Sequence, residues 1–181
     1  LRIGPPLLGH GNWVRALAWT PDGSTLISGD AVGKVDLWAS GNLHWLSGHT
    51  ATVRGVDFSP DGSTLASGSF DTTVLLHDIA NGQQRLSPLQ GHDNAVLNVA
   101  YSPDGRMLVS ASAGGDLVRW SAAAGQPLGE PLTGHTAPVA GLAISPDGRT
   151  IASGSFDNPT RLGDAATGEP LGEPLKGHSN W

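Results

Sequence analysis

Gly-His recurs at Gly9-His10, Gly48-His49, Gly91-His92, Gly134-His135 and Gly177-His178, at spacings of 39, 43, 43 and 43 residues. A second marker keeps step with it. Thr20-Pro21-Asp22-Gly23, Ser59-Pro60-Asp61-Gly62, Ser102-Pro103-Asp104-Gly105 and Ser145-Pro146-Asp147-Gly148 follow at spacings of 39, 43 and 43. Two independent markers in phase over four periods require a repeat architecture, in which each unit buries its faces against its neighbours. The repeats occupy residues 9–47, 48–90, 91–133 and 134–176. Residues 1–8 read as a surplus edge strand and residues 177–181 as the start of a truncated repeat, since Ser179-Asn180-Trp181 echoes Gly11-Asn12-Trp13.

Within each repeat the pattern predicts four short strands, called a to d. Strand a follows Gly-His as an alternating run of small and apolar residues, at 13–19, 53–58, 96–101 and 139–144. The Pro-Asp-Gly turn supplies a preset first corner and a left-handed position, so the chain returns as strand b at 25–28, 64–67, 107–110 and 150–153. Strand c is expected at 34–38, 73–77, 117–120 and 160–162. The last copy should be short or frayed, because Pro159 lacks a donor and Gly163 stands where repeats one and three have Trp. Strand d is expected at 43–46, 84–89, 126–132 and 169–175, and the 39-residue first spacing implies four residues missing near the first c–d turn. No helix is expected. The four antiparallel strands make one small twisted sheet per period, so the fold class is all-β.

Composition narrows the function. Gly (26) and Pro (13) fall at fixed phases and mark turns rather than disorder. A net charge of −6, with ten scattered Lys and Arg, offers no clustered basic surface for nucleic acid. Cysteine is absent, which excludes disulfides and thiolate metal sites. No apolar run approaches the length of a membrane span, and no signal-peptide pattern opens the chain. It reads as soluble, with the cytoplasm favoured and the compartment otherwise open.

With the Gly-His, Ser-Pro-Asp-Gly, Ser67-Gly68-Ser69-Phe70-Asp71 and Trp38 or Trp120 phases in place, the chain resembles four WD repeats of a β-propeller along essentially its whole length. The signature Trp-Asp dipeptide is intact nowhere. Its positions hold Trp38-Ala39, His77-Asp78, Trp120-Ser121 and Gly163-Asp164. The resemblance implies a buried hydrogen-bonded network in each blade, built from the Gly-His histidine, a strand-b Ser, a b–c turn Asp and the strand-c Trp. Matched by position, the first repeat supplies His10, Ser28 and Trp38 with Val32 at the Asp place. The second supplies His49, Ser67 and Asp71 with His77 at the Trp place. The third offers His92, Ser110 and Trp120 with Gly114 for Asp, and the fourth His135, Ser153 and Asp157 with Gly163 for Trp. On this reading no repeat has all four members. A His–Ser–Asp set also suggests a hydrolase, but a nucleophile set repeated four times is a scaffold element, so no catalytic residue is assigned.

No cofactor is expected. Five of the seven histidines are the Gly-His residues, each in a different blade, so no three or four converge as zinc requires. No phosphate-binding glycine motif is present. The resemblance points instead to a protein–protein interaction scaffold, closest to bacterial WD-repeat arrays attached to regulatory proteins. Partners in the family dock on the face of the d–a and b–c loops, which matches Asn12, Trp13, Arg15, Arg54, Phe70, Asn94 and Phe156 here. Equally, Trp13 and the two Phe side chains could pack between blades. Four blades make half of an eight-bladed ring, so a second chain closing the ring as a homodimer is expected, in competition with closure by four blades alone or membership of a longer propeller. A self-assembling fragment, natural or engineered, whose main activity is ring formation is the alternative function.

Overall fold

The computed structural model describes residues 7–39 and 42–177, so the expected surplus strand 1–8 lies outside the described residues except for Leu7 and Leu8, and of 177–181 only Gly177 is described. Among the described residues, thirteen strands form four separate antiparallel sheets. The first sheet contains β1 (Val14–Trp19), β2 (Leu26–Asp30), β3 (Val35–Ala39) and β4 (Asn42–Leu46), in that spatial order. The second has β5 (Val53–Phe58), β6 (Thr64–Ser69) and β7 (Val74–Asp78). The third has β8 (Val96–Tyr101), β9 (Met107–Ser112) and β10 (Leu117–Ser121), and the fourth β11 (Val139–Ile144), β12 (Thr150–Ser155) and β13 (Thr160–Asp164).

The a–b hairpins close as the turn residues dictate. In the second repeat Gly62 takes a left-handed φ of 71° and donates its N–H to the Ser59 carbonyl at 2.8 Å. The Asp61 carboxylate accepts from the Ser59 and Ser63 hydroxyls and the Ser63 N–H, which together hold its pKa down at about 2. Every a–b ladder also slips register after its first residue, between Val14 and Ala16, Val53 and Gly55, Val96 and Asn98, and Val139 and Gly141. The extra residue is a β-bulge, and it turns the next side chain out of the pleat. Arg15 and Arg54 occupy the bulge in repeats one and two, and both are exposed.

Two expectations about strands need correction. β13 is a full five-residue strand paired with β12 from Thr150↔Asp164 to Gly154↔Thr160, neither short nor frayed. Pro159 precedes the strand, so its missing N–H costs no ladder bond. Strand d is continuous only in repeat one, as β4. In the other repeats it meets strand c at two points separated by a bulge, Val74↔Leu89 with His77↔Gln84, Leu117↔Leu132 with Trp120↔Pro127, and Thr160↔Leu175 with Gly163↔Pro170. Pro88, Pro131 and Pro174 lack the donors that a continuous ladder needs, and Gly129 and Gly172 turn through positive φ. The first spacing follows from the same geometry. Trp38↔Leu43 and Val35↔Leu46 enclose shorter loops than His77↔Gln84 and Val74↔Leu89, by two residues at the c–d turn and two more in the missing bulge.

The sheets stand side by side, with β1 beside β5, β5 beside β8 and β8 beside β11. Inner strands approach closely: a Cβ added to Gly55 would lie 2.7 Å from the Asn98 Cα, so only glycine fits. The joints between sheets repeat one plan. The valine that opens each strand a packs on a small strand-b residue of the preceding sheet, Val53 over Gly29, Val96 over Gly68, and Val139 in one cluster with Ala111. Arg119 adds a polar tie. Its guanidinium, buried in the third sheet, donates to the carbonyls of Ala165 (3.2 Å), Ala166 (2.6 Å) and Thr167 (3.1 Å) in the fourth.

No packing of comparable extent joins β11 to β1 among the described residues, so the four sheets form an open arc. β6 and β9 are buried along their whole length, whereas β13 is half-buried throughout. On the other flank, Val14, Leu17 and Trp19 are 46 %, 65 % and 61 % exposed. Their counterparts Val53 and Phe58 are buried at 0 % and 5 % because a preceding sheet covers them.

Candidate functional site

Each of the four described Gly-His histidines enters its sheet from the loop before strand a and reaches the middle of strand b. His10, His49, His92 and His135 place Nε2 at 2.6, 2.9, 2.6 and 2.9 Å from the hydroxyls of Ser28, Ser67, Ser110 and Ser153. Each Nδ1 faces a carboxylate: Asp30 at 2.9 Å, Asp71 at 2.9 Å, Asp116 at 2.5 Å and Asp157 at 2.9 Å. In repeats one and three the strand-c indole completes the set, Trp38 Nε1 donating to Ser28 at 2.7 Å and Trp120 Nε1 to Ser110 at 2.8 Å.

The reading that repeats one and three lack the acid is therefore corrected, because Asp30 and Asp116 supply it from other turn positions. In the five-residue b–c turn the carboxylate comes from the first place (Asp30), the third (Asp71 and Asp157) or the fifth (Asp116). Matching by position alone put Val32 and Gly114 there. The signal was the presence of one Asp per turn; its exact place is free because the turn wraps around the histidine and brings all three places within reach. Repeats one and three thus hold all four members. In repeat two His77 replaces the indole and donates its Nε2–H to the Ser47 carbonyl at 3.1 Å, its pKa lowered by burial. In repeat four Gly163 leaves the place without a side chain.

The arrangement has the order of a proton relay, yet it is closed to substrates. The four histidine side chains are between 1 % and 6 % exposed, and the serines between 0 % and 5 %. Such groups cross-brace a sheet: each satisfies polar atoms that burial would otherwise penalise. Burial acts to raise the Asp30, Asp71, Asp116 and Asp157 carboxyls, but the hydrogen bonds they accept from histidine, hydroxyl and backbone donors outweigh it and hold all four below the usual carboxylate range. A depressed folded-state pKa stabilises the fold above the unfolded value, about 3.9, and the benefit disappears as pH falls through the folded value. Asp57 acts in the opposite sense, since burial raises its carboxyl despite the Tyr101 N–H at 2.7 Å. We expect denaturant midpoints to drop steeply below about pH 4, and the drop to be smaller in Asp116→Asn than in the native chain.

One face of the arc gathers the d–a loops and b–c turns. Within each repeat the two are tied by backbone bonds, Ala31 N–H to Trp13 carbonyl, Phe70 to Thr52, Ala113 to Ala95 and Phe156 to Pro138. Between repeats one and two, Thr52 Oγ1 donates to the Ala31 carbonyl at 2.9 Å and ties the two loops together. Of the sequence-derived face residues, Asn12, Arg15, Arg54 and Asn94 are exposed. Trp13, Phe70 and Phe156 are 71 %, 46 % and 50 % exposed and so are not packed away between blades. The Arg15 guanidinium sits 4.7 Å from the Trp13 ring centroid, a cation–π contact. Repeat three contributes only Ala113 at the corresponding turn position, so the aromatic rim is interrupted there.

Four tandem stretches, residues 5–38, 41–78, 83–121 and 125–158, match the family model described as WD domain, G-beta repeat. The chain belongs to the WD-repeat family. The four sheets are its blades, and WD repeats generally mediate protein–protein interaction as scaffolds. Among curated proteins, none matches the chain. Among the described residues, no group of three or more His, Asp or Glu is placed to hold a metal ion, and no helix is long and apolar enough to cross a membrane.

Proposed function

We propose that this WD-repeat chain is a non-catalytic interaction scaffold that presents the face of its d–a loops and b–c turns to a protein partner. The Trp13–Arg15 pair carries the reading: a large aromatic side chain in contact with a guanidinium, yet 71 % exposed, has the composition of a binding hot spot. Phe70 and Phe156 extend the apolar rim along the same face, and Arg54 adds a second cation. A phage-displayed peptide library selected on the native chain tests it. Selected peptides should lose at least about tenfold in affinity for Trp13→Ala and Phe70→Ala, with unchanged melting temperatures. Equal affinity for native and substituted chains would place the binding surface elsewhere.

Self-association is a second reading, favoured by the open flanks. Val14 offers at one end of the arc what Val53, Val96 and Val139 offer at each internal joint, and it is 46 % exposed where those are fully buried. At the other end Gly154 is the counterpart of Gly29 and Gly68. A Cβ added there would meet no atom of a following blade, only its own sheet at 4.0 Å. The two half-joints are complementary, so a second copy related by a two-fold axis along the channel would seat Val14 of each chain on Gly154 of the other. This head-to-tail contact repeats twice and closes an eight-bladed ring.

A further inference from the structure

The blades differ most where strand c passes the Gly-His loop. In blades one and three an indole fills this place so fully that a Cβ added to Gly9 or Gly91 would lie 2.8 or 2.7 Å from the ring of Trp38 or Trp120. In blade two the His77 imidazole takes the position and Leu75 closes over Gly48. In blade four the residue is Gly163, and a Cβ built on it would have no neighbour nearer than 3.7 Å. The space stays open as a cavity of about 70 Å³ lined by Leu117, Leu132, Ile151, Ser153, Arg161 and Gly163.

Its walls match those of an indole site. Leu117 and Leu132 form the bridge that corresponds to Val74↔Leu89, and Val74 and Leu89 are buried in one cluster with Trp120. Two polar groups on the lining have unused capacity. Ser153 Oγ, 5 % exposed as a residue, engages His135 Nε2 at 2.9 Å but receives no indole N–H of the kind that Ser28 and Ser110 accept. Arg161 Nε is buried with no hydrogen-bond partner.

We propose that this cavity binds a planar heteroaromatic ligand of indole type, whose ring N–H donates to Ser153 Oγ between the walls of blades three and four. The ligand would restore the missing fourth member of the blade-four network. Arg161 covers the place where an indole edge would meet Gly134, with Nη1 3.2 Å from a Cβ built there. Being half-buried, its guanidinium can swing outward and lie on the ring face, a stacking that suits arginine. Leucine and isoleucine walls, an acceptor at Ser153 and an arginine beside them suit a flat aromatic N–H compound.

Free indole is the probe, titrated into the native chain, Gly163→Trp and Ser153→Ala, with melting temperature and amide NMR as readouts. The native chain should melt higher as indole rises, and its amide shifts should concentrate at Ser153, Gly163 and Gly168. Ser153→Ala should bind about tenfold more weakly, as loss of one buried hydrogen bond implies. Gly163→Trp, which carries its own indole, should melt higher than the native chain and show no further response. No response in the native chain, an equal response in Gly163→Trp, or shifts scattered away from blade four would overturn the proposal. The NMR map decides the matter alone if Gly163→Trp does not fold.

Discussion

Trp120→Ala should cost about 3–5 kcal/mol in equilibrium unfolding, among the largest single-site effects in this chain. Trp120 is 1 % exposed, packs against Gly91, and shares one core cluster with Val74, Leu89 and Val118, so truncation leaves a cavity that joins blades two and three. Truncation also removes the Nε1 donor from Ser110, which is fully buried. Trp13→Ala provides the contrast. That side chain is 71 % exposed, so its loss should change stability by no more than about 0.5 kcal/mol. Guanidinium unfolding of the two variants checks the ordering, and near-equal midpoints would remove the basis for treating one tryptophan as structural and the other as available to a partner.

His92→Ala should be the second large effect, about 2–3 kcal/mol. The imidazole links Asp116 at 2.5 Å to Ser110 at 2.6 Å, and its removal leaves the fully buried Ser110 hydroxyl with the Trp120 indole as its side-chain partner and takes a donor from a carboxylate that is 23 % exposed. The partial exposure of Asp116 keeps the cost below that of a fully buried broken ion pair. Asp116 also accepts from the Ser112 hydroxyl, so the b–c turn should loosen along with the network. Hydrogen exchange at Gly114 and Gly115 would register this loosening. An unaltered melting temperature in His92→Ala would contradict the bracing role assigned to the four histidines.

The blades themselves were legible in the sequence because their determinants are local. Gly-His and Pro-Asp-Gly fix the two ends of strand a, and each a–b hairpin is closed within 17 residues by a turn whose φ values Pro and Gly impose. What sequence misplaced depends on geometry that no pattern displays. Asp30 and Asp116 were missed because a curved turn brings three different positions to one histidine. The discontinuous strand d depends on where prolines fall relative to the two lone pairing points, which only the observed register reveals. The strand after Pro159 survives for a similar reason, as the proline sits one residue outside the ladder. Exposure of Trp19 is not readable from residue type, since its counterparts Phe58 and Tyr101 are 5 % and 8 % exposed where a preceding blade covers them and Trp19 is 61 % exposed where none does.

The open arc has the clearest consequence for function. Its two flanks leave Leu17 and Trp19 in solvent at one end and the half-buried β13 at the other. Closure by a second copy would present the face that bears Trp13 and Phe70 twice around one channel and would cover both flanks in the same step. Arg119 and the valine-on-glycine joints show that neighbouring blades recognise one another through short-range packing, which a separate chain can supply as well as a tethered one.

Absolute mass by light scattering, taken across a concentration series, tests this account most directly. Two chains of 18.5 kDa in a closed ring predict a species at twice that mass, with no larger oligomer, and its dissociation by Val14→Glu. A species of 18.5 kDa at every concentration, unchanged in Val14→Glu, would contradict closure through these flanks.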